Sequence, residues 1–313
     1  MPLAQPEIIP FEEEHLDAAA ELLAERHRRH RAAEPLLPEK VDFREEVAGL
    51  WTKDGASGGF CEDGYVLGTR LDESWGPNAW IELAGHAVRE PERIRDLYAF
   101  AAARWLDEGR TSHYVYVPAS DEDLVDAWFR LGFGAQHAFG IRELRDEPEP
   151  PVPGVVARSA TQNDIDALVQ IGPELALHQS LAPVFGRAVQ EDTEAMRAEI
   201  VEDLANPDIG NLVAEVDGRV VGNFVVVPIK MSGAHVGLAR PSGFAHLGYA
   251  AVRPEARGSG AGLALTAACF AWARNRGYKA MVTDWRVTNL LSSRFWPKRG
   301  FRTTFLRLYR SIP

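Results

Sequence analysis

Cysteine is nearly missing from this chain: its 313 residues hold two, Cys61 and Cys269. They fall in what read as different domains, one on a strand and one on a helix. That spacing argues against a disulfide framework and against a cysteine-based metal site. No apolar run approaches the ~18 residues of a membrane span, and the N-terminus lacks the basic-then-apolar pattern of a secretory leader. The expectation is a cytoplasmic protein with no membrane partner. Excess positive charge is also missing. A net charge of −11 with no compensating basic stripe argues against nucleic acid. It would suit a cationic substrate, although solubility is the plainer reading. What remains, 46% hydrophobic and 25% charged residues, is an ordinary globular composition, and the length predicts two domains.

The most informative stretch runs from Phe244 to Gly262. Tyr249 to Val252 reads as extended, and Pro254 ends the strand because it lacks the N–H a ladder needs. Arg257-Gly258-Ser259-Gly260-Ala261-Gly262 then opens an Ala- and Leu-rich helix that closes near Gly277. A glycine-rich turn into a helix N-terminus suits an anion. The first N–H groups of the helix have no internal partner, the helix dipole favours negative charge, and Arg257 adds a cation. A diphosphate is the natural guest; a tight packing turn is the plainer alternative. The stretch is neither a Walker loop nor a dinucleotide fingerprint, since both spacings are missing.

Arg257, Gly260 and Gly262 match the Arg-x-x-Gly-x-Gly motif that follows the fourth strand of GNAT-type acetyltransferases. Downstream, Asn289 through Phe295-Trp296 to Gly300-Phe301 resembles that superfamily's second motif. Upstream, Leu212 to Val227 reads as a hairpin turning at Asp217-Gly218. The resemblance covers the chain from about Val155. It implies acetyl-CoA as cofactor and direct transfer of an acetyl group to the amine of a small molecule. It also implies that the backbone of Ala250, Ala251 and Val252 pairs with the pantetheine, while Arg257, Gly258, Ser259, Gly260, Ala261 and Gly262 hold the diphosphate. Asn289 and Ser292 would line the same site, and the plainer reading of Asn289 is a helix cap.

The first half of the chain repeats the pattern. Asp63-Gly64 pairs with Asp217-Gly218, Ala87-Val88 with Ala251-Val252, Gly109 with Gly277 and Gly132-Phe133 with Gly300-Phe301; the last two pairs share an offset of 168. The fold expectation is therefore α/β, two tandem GNAT-like domains, each a central mixed twisted sheet flanked by helices. The expected boundaries are 1–146 and 155–313, joined by a linker at 147–154 rich in proline and acid. The tandem arrangement is similar to that of mycothiol synthases, a comparison that carries architecture alone. In the first copy, Glu90-Pro91-Glu92-Arg93 replaces the glycine loop, and two acids would repel a diphosphate. The first domain reads as a degenerate copy. Its Arg26–Arg31 run reads as a solvated helix face. Trp80 to Val88 reads as one strand; in the second copy, Thr161 with Asp164 reads as an N-terminal cap for a helix to about Ile171, Leu175 to Gln190 as irregular, and Glu191 to Leu204 as a helix.

An amine must lose a proton to attack a thioester, so a base is useful. His246 is the candidate, because an imidazole titrates near neutrality, at about 6.5. Strict alternation would put it on the same face as residues 248, 250 and Val252. The superfamily's usual acid, a Tyr seven residues after the Asn, is here Trp296, whose indole donates hydrogen bonds without acting as an acid. Packing is its plainer role, and Tyr249 and Ser292 are the remaining acid candidates. Leu175 to Arg187 and Ser232 to Ser242 would flank the acceptor, with His178, Gln179, Asp192 and His235 polar enough to touch it. Gly260→Glu is expected to weaken cofactor binding and leave the unliganded fold alone. The alternative function is a non-catalytic acyl-CoA-binding or sensing protein. No metal is expected, and the assembly expected is a monomer or homodimer.

Overall fold

The computed structural model describes residues 7–71, 75–186 and 192–313. Residues 187–191, which include the end of the expected acceptor segment and the expected helix start at Glu191, lie outside the described residues. Along the chain come β1 (Ile9–Pro10), α1 (Leu16–Ala33), α2 (Phe43–Trp51), β2 (Ser57–Cys61), β3 (Gly64–Gly68), β4 (Asn78–Ile81) and β5 (His86–Val88). Then follow α3 (Arg93–Asp107), β6 (Ser112–Pro118), α4 (Glu122–Phe129) and β7 (Gly134–Glu143). The second half gives β8 (Val155–Ser159), α5 (Ile165–Ile171), α6 (Glu174–Ser180), α7 (Thr193–Ala205), β9 (Gly210–Val216) and β10 (Arg219–Pro228). It ends with β11 (Ala245–Val252), α8 (Ala261–Asn275), β12 (Ala280–Arg286), α9 (Ser292–Lys298) and β13 (Arg302–Ser311). Among the described residues, no helix is long and apolar enough to cross a membrane.

The chain divides into two units. The first comprises residues 1–139, 235–241 and 303–313; the second comprises 140–234 and 242–302. Both are mixed α/β, as expected. In the first unit, β1, β2, β3 and β5 form an antiparallel sheet, while β6 pairs in parallel with β4 and antiparallel with β13. The strand expected over Trp80 to Val88 is therefore two. The chain changes partner across Leu83-Ala84-Gly85, where a Cβ on Gly85 would meet the carbonyl oxygen of Leu67 at 2.7 Å. The unit is filled by aromatic packing: Trp105 and Trp128 are fully buried, and the Trp105 indole N–H donates to Ser57 at 2.9 Å.

The Arg26–Arg31 expectation is corrected by this unit. Arg26, His27 and His30 are buried, not solvated. The Arg26 guanidinium donates to the carbonyls of His86 and Leu83. A buried cation persists only when its donors are satisfied, and its burial still pushes its pKa down to about 10. Arg28 and Arg29 are exposed, as a solvated face requires; periodicity marked the helix but could not say that Arg26, His27 and His30 turn inward.

In the second unit, β8, β9, β10 and β11 run antiparallel in sequence, and β12 joins β11 in parallel. α8 covers this sheet with a stripe at helical spacing, in which Ala261, Leu265, Cys269, Phe270 and Ala273 are buried. The segment after Leu175, expected to be irregular, begins as helix α6. The cap expected at Thr161 is present as a reciprocal capping box with Asp164. Arg158 grips the same carboxylate with two bonds of 2.8 Å and reaches Glu215 at 2.9 Å. The hydrogen bonds from Arg158 hold the Asp164 carboxyl down to about 2. A carboxylate depressed in this way stabilises the fold above its unfolded pKa of ~3.9, and that contribution is lost as pH falls toward the folded value. Asp164→Asn is thus expected to destabilise the fold at neutral pH by about 2 kcal/mol at most, and so to lower the melting temperature. Thermal unfolding between pH 4 and 2 should then show a shallower loss of stability in the variant than in the parent.

Candidate functional site

Two neighbouring strands of the second unit part company in mid-course. β11 pairs with β12 only at Ala245, His246 and Leu247, opposite Met281, Val282 and Thr283. The Thr283 hydroxyl donates to the Leu247 carbonyl at 2.9 Å and closes the shared stretch. Beyond it, β11 continues through Val252 with β10 alone as ladder partner. Its other edge, across Ala250, Ala251 and Val252, opens a slot whose peptide groups suit an extended amide ligand.

The parting coincides with a β-bulge. Val225 faces Tyr249 and Val226 faces Leu247, so Gly248 is the extra residue on β11. A bulge shifts the alternation of side chains by one. The expectation that His246 shares a face with Val252 is therefore corrected: it shares one with Tyr249 and Ala251. A Cβ on Gly248 would stand 3.0 Å from Cε1 and 3.3 Å from Nδ1 of His246, so the imidazole edge lies over the bare glycine. His246 is 7% exposed, and its Nε2 is 3.5 Å from a carboxylate oxygen of Asp284 on β12. Sequence reasoning passed over both Gly248 and Asp284. A glycine inside a strand pattern is the usual mark of a bulge and was the available signal; Asp284 carried none, because pairing across the sheet is not local.

The slot leads to the glycine loop. Gly258 and Gly260 take φ of +89° and +91°, the left-handed region that L side chains avoid. Gly260 is the N-cap of α8, and its carbonyl accepts from Leu263 and Ala264, both at 3.0 Å. The Ser259 hydroxyl accepts from the Ala261 N–H at 3.3 Å. Arg257 is exposed at the loop entrance. Val152 lies against the loop: a Cβ on Gly260 would meet its Cγ1 at 2.5 Å. The expectation that a side chain at Gly260 spares the unliganded fold is corrected on both counts, backbone strain and the Val152 contact. Gly262, by contrast, has ordinary room, with Phe295 at 3.6 Å from the added Cβ. Beside the loop, a cleft of about 700 Å³ is walled by Val152, Leu263, Phe270, Arg145, Lys298 and Arg299.

The remaining expected residues divide. Asn289 is buried, and its side-chain oxygen accepts from Leu291 N–H at 3.0 Å and Ser292 N–H at 3.3 Å, the geometry of a cap on α9. His178 Nε2 lies 3.2 Å from the same oxygen, so α6 is brought to this corner. The Ser292 hydroxyl is enclosed, with no hydrogen-bond partner among the described residues. Trp296 packs edge-on against Phe295 and Phe301 at 4.9 and 5.6 Å. The Tyr249 hydroxyl donates to the carbonyls of Ile171 and Gly172 at 2.9 and 3.0 Å. Asp192 caps α7, accepting from Glu194 N–H. His235 belongs to the first unit, stacked on Phe139 at 4.6 Å.

The first unit treats the matching gap differently. β4 and β6 are in register as far as Ile81 and Val115, and β5 then follows its own sheet. The counterparts of Ala250 and Val252 are His86 and Val88. Arg26 donates to the His86 carbonyl and Arg29 to the Val88 carbonyl at 3.1 Å. The His86 ring spans the gap, donating from Nε2 to the Tyr116 carbonyl at 2.8 Å. Burial pushes the His86 pKa down to about 3 and keeps the ring neutral. Glu92, in place of the glycine loop, is tied to Arg95 at 2.6 Å and Arg130 at 2.8 Å.

Residues 175–301 match the profile of the Acetyltransferase (GNAT) family. No curated protein matches the sequence. Among solved structures, a GCN5-related N-acetyltransferase from Sphaerobacter thermophilus aligns over 98% of this chain and 97% of its own, at 16% identity and a TM-score of 0.62. A glucosamine N-acetyltransferase region in a fungal multi-domain β-N-acetylglucosaminidase aligns over 98% of this chain and 38% of that one, at 15% identity and a TM-score of 0.54. A tandem GNAT protein of the clavulanic acid pathway aligns over 97% and 98%, at 15% identity and a TM-score of 0.49. At these identities the likeness concerns the fold, which both ends of the chain share.

The two loop glycines should separate in the unliganded protein. Gly260→Ala forces a side chain into left-handed backbone, at about 1–2 kcal/mol, besides displacing Val152. Gly262→Ala removes a glycine from the first turn of a helix, which is neutral or stabilising by up to ~1 kcal/mol. Differential scanning calorimetry without ligand should show a lower melting temperature for the first and an equal or higher one for the second.

Proposed function

We propose that the protein is an acetyl-CoA-dependent N-acetyltransferase, because its residues 175–301 match the profile of the Acetyltransferase (GNAT) family. Its active copy lies in 155–313, and the copy in 1–146 holds no cofactor. One observation carries the reading: the free edge of β11 past Leu247 runs directly into the left-handed glycine loop at the head of α8. Extended amides followed by a diphosphate are what such a path accommodates. The residues suit CoA on their own geometry at Gly258, where an added Cβ would meet nothing within 4 Å and the backbone is open to a ligand.

Acetyl-CoA supplies the acetyl group as a thioester. The chain's own contribution is then as follows. The backbone of Ala250 to Val252 aligns the pantetheine, Arg257 and the N–H groups of residues 258–262 hold the diphosphate, and the cationic cleft beside the loop receives the phosphorylated adenosine end. His246 takes a proton from the acceptor amine as its nitrogen attacks the acetyl carbonyl. The carbon–sulfur bond breaks, and the departing thiolate is protonated by solvent or by the Ser292 hydroxyl, the side-chain candidate that remains. Tyr249 is committed to two carbonyls, and Trp296 fills a packing role. The acceptor is a small-molecule amine, and the setting is cytoplasmic.

Trp296 at the usual Tyr position also favours a second reading, an acyl-CoA-binding or sensing protein without turnover. Release of free thiol from acetyl-CoA with a panel of amines separates the two. Thiol release that falls by roughly a hundredfold or more in His246→Gln supports the enzyme; tight CoA binding without any release supports the binder. For the cofactor site, Arg257→Ala is expected to weaken CoA by about tenfold, ~1.4 kcal/mol, with an unchanged melting temperature. Titration calorimetry should give one strong CoA site per chain, because Arg26, Arg29 and His86 already occupy the matching gap of the first unit. Two equivalent sites would contradict that assignment.

A further inference from the structure

We propose that the acceptor is a monoamine with an apolar, uncharged body, held against the exposed side chains of Leu177, Leu181 and Phe185 beside the parting of β11 and β12. The inference rests on the acyl-transfer reading and names the substrate class that the reading leaves open. Its first support is position. α6 packs against β11. The chain entering α6 is pinned to the open stretch of that strand, where the Tyr249 hydroxyl donates to the carbonyls of Ile171 and Gly172. Further along, α6 is pinned to the segment that follows β12, where His178 Nε2 lies 3.2 Å from the side-chain oxygen of Asn289. α6 therefore reaches from one of the two parted strands to the continuation of the other.

The second support is apolar surface displayed at that place. Leu177 and Leu181 stand four residues apart, and the Phe185 N–H donates to the Leu181 carbonyl at 3.0 Å, so the three follow one another about a turn apart. They are 58%, 62% and 76% exposed. Phe185 keeps its display in left-handed backbone, at φ of +50°, a conformation that disfavours a bulky residue. The Leu181 N–H donates to the His178 carbonyl at 3.3 Å, which keeps Leu181 at the end of α6 that His178 ties to Asn289. The next two residues after Asn289, Leu290 and Leu291, are 46% and 50% exposed. Clustered exposed apolar surface marks binding sites, whereas single exposed residues are ordinary.

The third support is the charge that is missing. Residues 175–186 and 287–293 contain no Asp, Glu, Lys or Arg, in a chain of which 25% is charged and whose net charge is −11. A polycationic acceptor would be gripped by carboxylates, and neither stretch has one. An aliphatic or aromatic monoamine needs only to cover its hydrocarbon. Apolar surroundings also favour its neutral form over the ammonium, and the neutral form is the one that attacks a thioester.

The test uses the full-length protein, acetyl-CoA and three probes: propylamine, hexylamine and hexane-1,6-diamine. Expected is a kcat/KM for hexylamine roughly tenfold above that for propylamine, and above that for the diamine, whose far ammonium would have to sit on the leucines. Leu181→Ser and Phe185→Ser, both at exposed positions, should keep the melting temperature and the KM for acetyl-CoA. They should lower kcat/KM for hexylamine by roughly threefold or more and leave propylamine nearly unchanged. Val156→Thr, at a comparably exposed position on β8, should alter none of these values. The proposal is overturned if the diamine equals or exceeds hexylamine, or if both serine variants leave the chain-length gain intact. Sedimentation of the parent and of Leu181→Ser tests the competing occupant, a second copy of this chain: a dimer that the substitution dissociates overturns the proposal as well. If no amine is turned over, the acyl-transfer reading falls, and calorimetric titration of the same three amines into the CoA-bound protein decides the surface separately. Hexylamine bound more tightly than the other two, and less tightly after Leu181→Ser, supports the proposal; equal affinities overturn it.

Discussion

A strand in the middle of a sheet normally spends both edges on its neighbours. β11 does so for three residues on the β12 side and then stops. Peptide groups left along such an edge are strong donors and acceptors, and leaving them unmatched away from water is expensive. The features of the second unit that bear on chemistry follow from that parting. The bulge at Gly248 resets the alternation of β11, the imidazole settles over the bare glycine, and the strand is followed by the glycine loop at the N-terminus of α8. An extended amide chain ending in phosphates satisfies both sets of groups at once.

The first unit meets the same constraint without a ligand. Its strand breaks into β4 and β5, and the orphaned carbonyls of His86 and Val88 are matched by Arg26 and Arg29 of α1. Burying a guanidinium is tolerable there because the gap is full of carbonyls that need donors. The His86 ring bridges to Tyr116 across the space that a pantetheine would need.

What the sequence made legible was largely local. The glycine loop, the Thr161 cap, the Asp-Gly turns and the repeat itself are written in neighbouring residues, and each appears where those residues stand. The wrong expectations came from relations between strands and faces. Arg26 looked solvated because helical periodicity does not say which side carries the core. The face assigned to His246 was off by one because the bulge at Gly248 resets alternation, and the strand from Trp80 to Val88 was read as one because a change of partner leaves no break in β propensity. Asp284 could not be found from its own neighbourhood at all. Its meaning lies in a parallel strand 38 positions away from His246 in the chain. Asn289 was open between two roles, and the hydrogen bonds it accepts from α9 favour the cap.

Val152, in the proline-rich segment between the repeats, rests on the cap glycine of α8. Whatever settles on the loop must share van der Waals space with that side chain or displace it. The conformational equilibrium of the segment and the affinity of the loop are then two readings of one coupling free energy, and thermodynamic linkage makes the coupling reciprocal. A change that stiffens or loosens residues 150–153 would be felt as a change in affinity, although none of those residues carries a group for binding phosphate. Conversely, a filled loop would alter how exposed this stretch is to a protease. The segment thus abuts the loop at the head of α8, and its prolines narrow the conformations open to it.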